Sequence, residues 1–368
     1  MTNDFLSLVR LGIGNDIIEP PLSEKIDWSK IEALAKQHGL LGVLVDGVNR
    51  LPQNIRPPQT TWLRWIGEVM QGYESQYVLY RKAVNELAAF YHLHGYRMML
   101  LKGLACGMNW PKPEHRPYGD IDIYLFGRYK EADAALSREL GIKIDNSHHH
   151  HTVFQWQGFT VENHYDFINV NALKFNEELE RVFKSLANDS TCSVDLLNQK
   201  VYLPTANFHA LFLVRHLVAH FSSERLTIRQ LLDWSFFVKN HGSEIDWSWL
   251  DGMLEQFGMI RFYRIINTIC VEDLGFGNAL FSHAALDTAS QGIAGQARNE
   301  DVLKKRVLND IISPEFLGNE PKHIWKRVPF KYRRWKSNGW KRELCFNESP
   351  GSAFWCGIKS QIMKPASI

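Results

Sequence analysis

Gly119-Asp120-Ile121-Asp122-Ile123-Tyr124-Leu125 places two carboxylates two residues apart inside a β-branched, apolar run. A strand alternates faces at every residue, so Asp120 and Asp122 are expected on one face, with Ile121 and Ile123 on the other. Like charges held that close repel unless a cation neutralises them. Mg²⁺ favours one or two carboxylates combined with substrate phosphates. Removing the acids is therefore expected to raise the melting temperature of the metal-free protein. Upstream, Leu100-Leu101-Lys102-Gly103 is a hydrophobic strand running into a glycine, where a phosphate can approach the backbone closely. Together these residues point to metal-dependent phosphoryl or nucleotidyl transfer.

A third acid lies in Phe159-Thr160-Val161-Glu162-Asn163-His164-Tyr165, where Glu162 and His164 share one strand face. If that strand neighbours the aspartate strand, three carboxylates can hold two Mg²⁺ ions about 4 Å apart, clamping the attacking and leaving oxygens of an in-line displacement. The alternative is an ordinary polar sheet face. His148-His149-His150-His151 precedes a strand and reads as solvated loop or strand-edge histidines rather than a metal site. His216 and His220 have the i, i+4 spacing that can pair imidazoles on zinc. Lacking a third ligand, and set among Leu213, Leu217 and Phe221, they read as core or subunit contact. Arg229 and Asp233 form another i, i+4 pair, either a structural salt bridge or part of a nucleotide pocket.

The elements that must carry these residues follow from period and punctuation. The 368 residues, 45% hydrophobic with net charge +2, suffice for about two or three domains and give no whole-protein field for or against nucleic acid. Asp27-Trp28-Ser29 caps a helix closed by Gly39. From Thr61 to His94 a single long helix is expected, with Leu63, Ile66, Met70, Tyr73, Tyr77, Tyr80 and Val84 on one stripe. Short strands then follow at Arg97–Leu101, Asp120–Phe126, Thr152–Gln155 and Thr160–His164, with a helix at Tyr129–Leu140 closed by Gly141. Helices return at Thr205–Ser222, Arg225–Asn240, Trp247–Phe257 and Arg261–Val271. The fold class is α+β: a small mixed sheet flanked by N-terminal and C-terminal helical segments. The expected divisions are a helical region over 1–95, an α/β core over 96–170, a helical domain over 171–290 and a basic aromatic extension over 291–368.

Lys102-Gly103, Arg116, Gly119-Asp120-Ile121-Asp122 and Glu162-x-His164, in that order, resemble the nucleotidyltransferase fold of the DNA polymerase β type. The closer resemblance is to an uncharacterised bacterial nucleotidyltransferase family within that superfamily. It extends to the Asp27-Trp28 helix ending in His38-Gly39, the helix from Leu217 to His220 and Arg229-x-x-x-Asp233, and so covers roughly residues 5–275. The resemblance implies that Asp120, Asp122 and Glu162 ligate two Mg²⁺ or Mn²⁺ ions. It implies that Gly103, with Gly119 nearby, presents backbone to nucleotide phosphates and that Lys102 and Arg116 clamp them. A substrate pocket would draw on His164, Arg229 and Asp233. The chain departs from the pattern at Leu104, where Ser or Gly is usual, in a longer gap around Pro111-Lys112-Pro113, and at Asn163 and Tyr165, where the closer family tends to Leu and Trp.

The implied reaction is attack by an acceptor oxygen on the α-phosphate of an NTP, ATP by default, releasing pyrophosphate. The acceptor could be a small molecule, a sugar, a peptide or an RNA end, and the rival is a nucleotide-binding protein that kept the fold. Lys322–Arg342 carries nine Lys/Arg and no acid, interleaved with aromatics that can stack bases; a basic edge packed onto the body is the favoured reading over nucleic acid. Five scattered cysteines without a CxxC pair, no basic apolar leader and no run of about 18 apolar residues suggest a cytoplasmic enzyme.

Overall fold

The computed structural model describes residues 2–15, 22–188, 192–196, 198–223, 225–281, 294–313 and 323–346. Lys322, at the head of the basic stretch, and Cys356 lie outside them. The described residues form two compact units, one from residues 2–57 with 210–346, the other from residues 58–209. No helix among the described residues is long and apolar enough to cross a membrane.

The second unit is built on a six-stranded mixed sheet. Its strands are β1 (Met99–Leu100), β2 (Ile121–Tyr124), β3 (His151–Trp156), β4 (Phe159–His164), β5 (Ser193–Leu196) and β6 (Gln199–Tyr202), in the order β3-β4-β2-β1-β6-β5. β2 runs parallel to β4 and β1 to β6, while the other pairs are antiparallel. The β3–β4 hairpin turns at Gln157-Gly158, both with positive φ (49° and 84°), the backbone that matches the strand twist in a two-residue turn. The β5–β6 hairpin extends the sheet beyond the four strands expected from the sequence. Its short segments, Ser-Val-Asp-Leu and Gln-Lys-Val-Tyr, carry too few apolar residues to announce themselves.

The long helix expected over Thr61–His94 exists, but it is interrupted. Helix Gln59–Val69 passes into a π-turn at Met70–Glu74 and on into helix Ser75–Leu93. A π-turn adds a residue to one helical turn and rotates the apolar face. Leu63 and Met70 consequently lie exposed, at 58% and 55%, and the buried stripe begins afresh at Tyr80, Ala83, Val84, Leu87 and Tyr91. That stripe packs with Ala132 and Leu136 of helix Tyr129–Leu140 on one sheet face, against Leu100, Ile121, Ile123, Phe154 and Val161. Gly141 closes the second helix in the left-handed conformation.

The first unit is helical. Asp27 accepts from Lys30 N–H to open helix Trp28–His38, and Asp246 does the same for Trp249 at the head of Trp247–Gln256, so the repeated Asp-Trp-Ser is one capping solution used twice. His38, with 1% exposure, accepts from Ile228 N–H, and burial and the neighbouring Arg225 charge push its pKa down to about 4.

Candidate active site

The parallel pairing of β2 with β4 sets Asp122 directly beside Glu162, and Tyr124 beside His164. Ile121, Ile123 and Val161 face the helices, so Asp122, Glu162 and His164 occupy the opposite face by strand alternation. Asp122 is buried at 5% exposure. Lys102 Nζ lies 2.6 Å from Asp122 Oδ1, and His164 Nε2 lies 3.3 Å from the same oxygen and 3.6 Å from Glu162 Oε2. The other ring nitrogen, Nδ1, sits 3.2 Å from the Asp166 carbonyl, to which it donates, so Nε2 is aimed at the acids.

These charges balance one another. Burial of Asp122 favours its neutral form, but Lys102 and His164 outweigh that and hold its carboxyl well below the usual range. Burial works against the charge of Lys102 and of His164 too. Asp122 nevertheless raises the pKa of Lys102, and Asp122 with Glu162 raises that of His164. Burial likewise opposes the charge of Glu162, yet the bond from His164 lowers its pKa overall. The expectation that bare repulsion dominates here does not hold for Asp122. Taking it away would strip two cations of their partner, which destabilises rather than stabilises.

Asp120 is unlike Asp122. It precedes β2, its residue is exposed, and its backbone carbonyl accepts from Tyr80 Oη at 2.9 Å. Desolvation of its carboxyl, then the negative charges of Glu162 and Asp122, raises its pKa. The same Tyr80 hydroxyl fixes the glycine. Gly103 has φ 58° and ψ −111°, and a Cβ there would lie 2.2 Å from Tyr80 Oη. Tyr80 thus packs against Gly103 while bonding the residue that leads into the aspartate strand. Gly103 opens a single helical turn, Leu104–Gly107, and Leu104 is buried at 2% exposure, an apolar anchor.

The other sequence candidates fall as follows. Arg116 is buried at 3% exposure, donates to the Pro117 carbonyl and lies over the Tyr118 ring at 5.3 Å. Gly119 is exposed, with open space where a Cβ would stand. Arg229 and Asp233 belong to the helical unit, 3.8 Å apart on helix Ile228–His241. His216 and His220 are also there, half-buried, with rings 4.3 Å apart. In the basic stretch, Trp325 and Tyr332 are exposed, whereas Lys341 is buried against Asp310 at 2.5 Å and Arg306 lies over Trp340.

Three features escaped the sequence reading. Asp133, on helix Tyr129–Leu140, accepts from Thr152 Oγ1 at 2.7 Å and Asn163 Nδ2 at 2.9 Å, pinning the helix to β3 and β4. A lone Asp on an amphipathic helix gives no such signal. Glu180 accepts from the Phe167 and Ile168 N–H groups behind His164, and burial pushes its pKa up to about 8. The third is a contact of His151: His148 is exposed in the bend before β3, as a loop or strand-edge reading expects, but His151, opening the edge strand β3 in register with His164, is 7% exposed, with its ring centroid 5.2 Å from that of His164. A run of like residues gives no register, so alternation could not place it.

The chain belongs to the uncharacterised nucleotidyltransferase family, whose model matches residues 24–275. Comparison with curated proteins and with solved structures returns no match.

Proposed function

We propose that this chain transfers a nucleoside monophosphate from an NTP, with ATP the first donor to test, to an acceptor hydroxyl on a small molecule, sugar or peptide. The observation that carries this reading is the in-register pair of Asp122 and Glu162 beside Lys102, on the polar face of the sheet, in a chain of nucleotidyltransferase descent. The residues fit divalent ions. Asp122, Glu162 and His164 offer ligand atoms within 4.8 Å of one another, and an ammonium already sits 2.6 Å from the buried carboxylate. Asp120, Asp122 and Glu162 would hold Mg²⁺ or Mn²⁺. When bound, such ions neutralise the triphosphate and lower the pKa of the acceptor hydroxyl.

The chain's own groups divide the remaining work. Asp122, kept ionised by Lys102 and His164, presents a permanent negative charge. Asp120, exposed and with a raised pKa, is the carboxylate that gains most from a cation. Lys102 is poised to exchange Asp122 for a phosphate oxygen, while Gly103 beside it makes room for Tyr80. The acceptor oxygen bonds to the α-phosphorus, the bond from that phosphorus to the bridging oxygen breaks, pyrophosphate leaves, and the hydroxyl proton passes to solvent.

Incubation with each α-labelled NTP and Mg²⁺ or Mn²⁺, with and without cell extract, tests the reading. Label on an acceptor together with pyrophosphate release is expected. Orthophosphate release from γ-labelled ATP without transfer of α-label would replace it with a hydrolase, and appearance of γ-label on an acceptor would replace it with a kinase.

A further inference from the structure

The tract His148–His151 takes no part in the transfer just described, yet its backbone is fixed beside the site. The His150 carbonyl accepts from both the Tyr165 and Asp166 N–H groups at 3.1 Å, and the Tyr165 hydroxyl donates to the His148 carbonyl at 2.7 Å. Ring centroids of His150 and His151 lie 4.3 Å apart, those of His150 and His164 5.6 Å, and those of His151 and His164 5.2 Å. One nitrogen from each of the three lies within 4.8 Å of the others. His151 and His164 are 7% and 3% exposed, and Nδ1 of His150 and Nδ1 of His151 are buried without a hydrogen-bond partner among the described residues.

Buried ring nitrogens without partners cost stability unless something occupies their lone pairs. Three imidazoles converging from a strand pair are a donor set that hard Mg²⁺ neglects and zinc-class ions select. Nitrogens on one zinc, each about 2.0–2.1 Å from it, lie roughly 3.3 Å apart, so side-chain rotation suffices to close the set.

We propose that His150, His151 and His164 form a binding site for a borderline transition-metal ion of the zinc class, separate in donor chemistry from the carboxylate site. Glu162 Oε2, 3.9 Å from His151 Nδ1, is within reach as a fourth ligand. His164 is common to both clusters, so an ion on the imidazoles draws it from Asp122 and couples the two sites. The inference stands on the imidazole geometry and does not require that the protein transfer nucleotides.

Co²⁺ titration of the full-length protein, read by its visible d–d absorption, is the test. About one equivalent should bind with a ligand-field band. The band should disappear in the His150→Ala/His151→Ala variant and persist in Asp120→Asn/Asp122→Asn, and Zn²⁺ should displace it. Single His150→Gln and His151→Gln variants, checked by circular dichroism, keep the test readable if the double variant does not fold; each should weaken Co²⁺ at least tenfold. No stoichiometric band, a band that survives the histidine changes, or a band lost with His216→Ala/His220→Ala instead would overturn the proposal. Failure of nucleotide transfer with the band intact would remove the transferase reading and leave this one standing.

Discussion

Along β2, Ile121 and Ile123 are fully buried against the helix Ser75–Leu93, while Asp122, between them, faces Lys102, His164 and Glu162. The backbone is common to both faces, so the contrast comes entirely from alternation. On one face affinity between side chains is non-directional and grows with buried area. On the other it depends on opposite charges at fixed separations in a partly dry setting, where each member is costly without its partners. The apolar face holds the sheet; the polar face is a charge-balanced cluster that the sheet holds in place.

That contrast is sharpened most by paired substitutions on one strand. Ile123→Ala should lower stability by about 3 kcal/mol through lost burial and a cavity, while the folded fraction keeps its metal-dependent nucleotide affinity. Asp122→Asn should do the reverse in its larger effect: a transfer rate reduced by roughly 10³ if several kcal/mol of transition-state stabilisation is lost. Urea melts beside rate measurements check both. Equal losses of rate and stability in the two variants would erase the distinction between faces.

Gly103→Ala should cost about 2 kcal/mol, since its positive φ with ψ −111° lies outside the left-handed helical well and strains a side chain by roughly 1–3 kcal/mol, and the new Cβ meets Tyr80 Oη. Tyr80→Phe in the same chain should return part of that loss, and a double-mutant cycle measures how much. Asp133→Ala should destabilise by about 2 kcal/mol, leaving buried Thr152 and Asn163 donors without an acceptor, and thermal melts against wild type read it directly. A pH-dependent effect concerns Glu180. Its folded pKa, about 8, stands above its ordinary 4.5, so its contribution is fully present below about 4.5 and fades as pH rises through about 8. The Glu180→Gln variant should flatten that part of the wild-type melting profile. A wild-type-minus-variant difference that does not change between pH 5 and 8 would refute it.

Much of the polar face was legible because its signals are local: Asp120-Ile121-Asp122 and Glu162-Asn163-His164 each show their alternation within three residues. Helix ends at Gly39 and Gly141 were legible for the same reason. What the sequence hid depends on distant pairing. The parallel β2–β4 register decides that Glu162 stands beside Asp122, and β3 brings His151 to His164. The inequality of the two aspartates likewise arises from Lys102 and His164, which pair with Asp122, and from Glu162, which repels Asp120; no spacing within the acidic motif encodes either.

Calorimetric titration of an NTP into wild type and Asp120→Asn/Asp122→Asn, with and without Mg²⁺ and with circular dichroism confirming the fold, tests the central claim most directly. Wild type should bind the NTP with an affinity that rises steeply with Mg²⁺, and the folded double variant should lose that dependence. Metal-dependent binding unchanged in the folded double variant would contradict the assignment of the sheet's polar face as the nucleotide site.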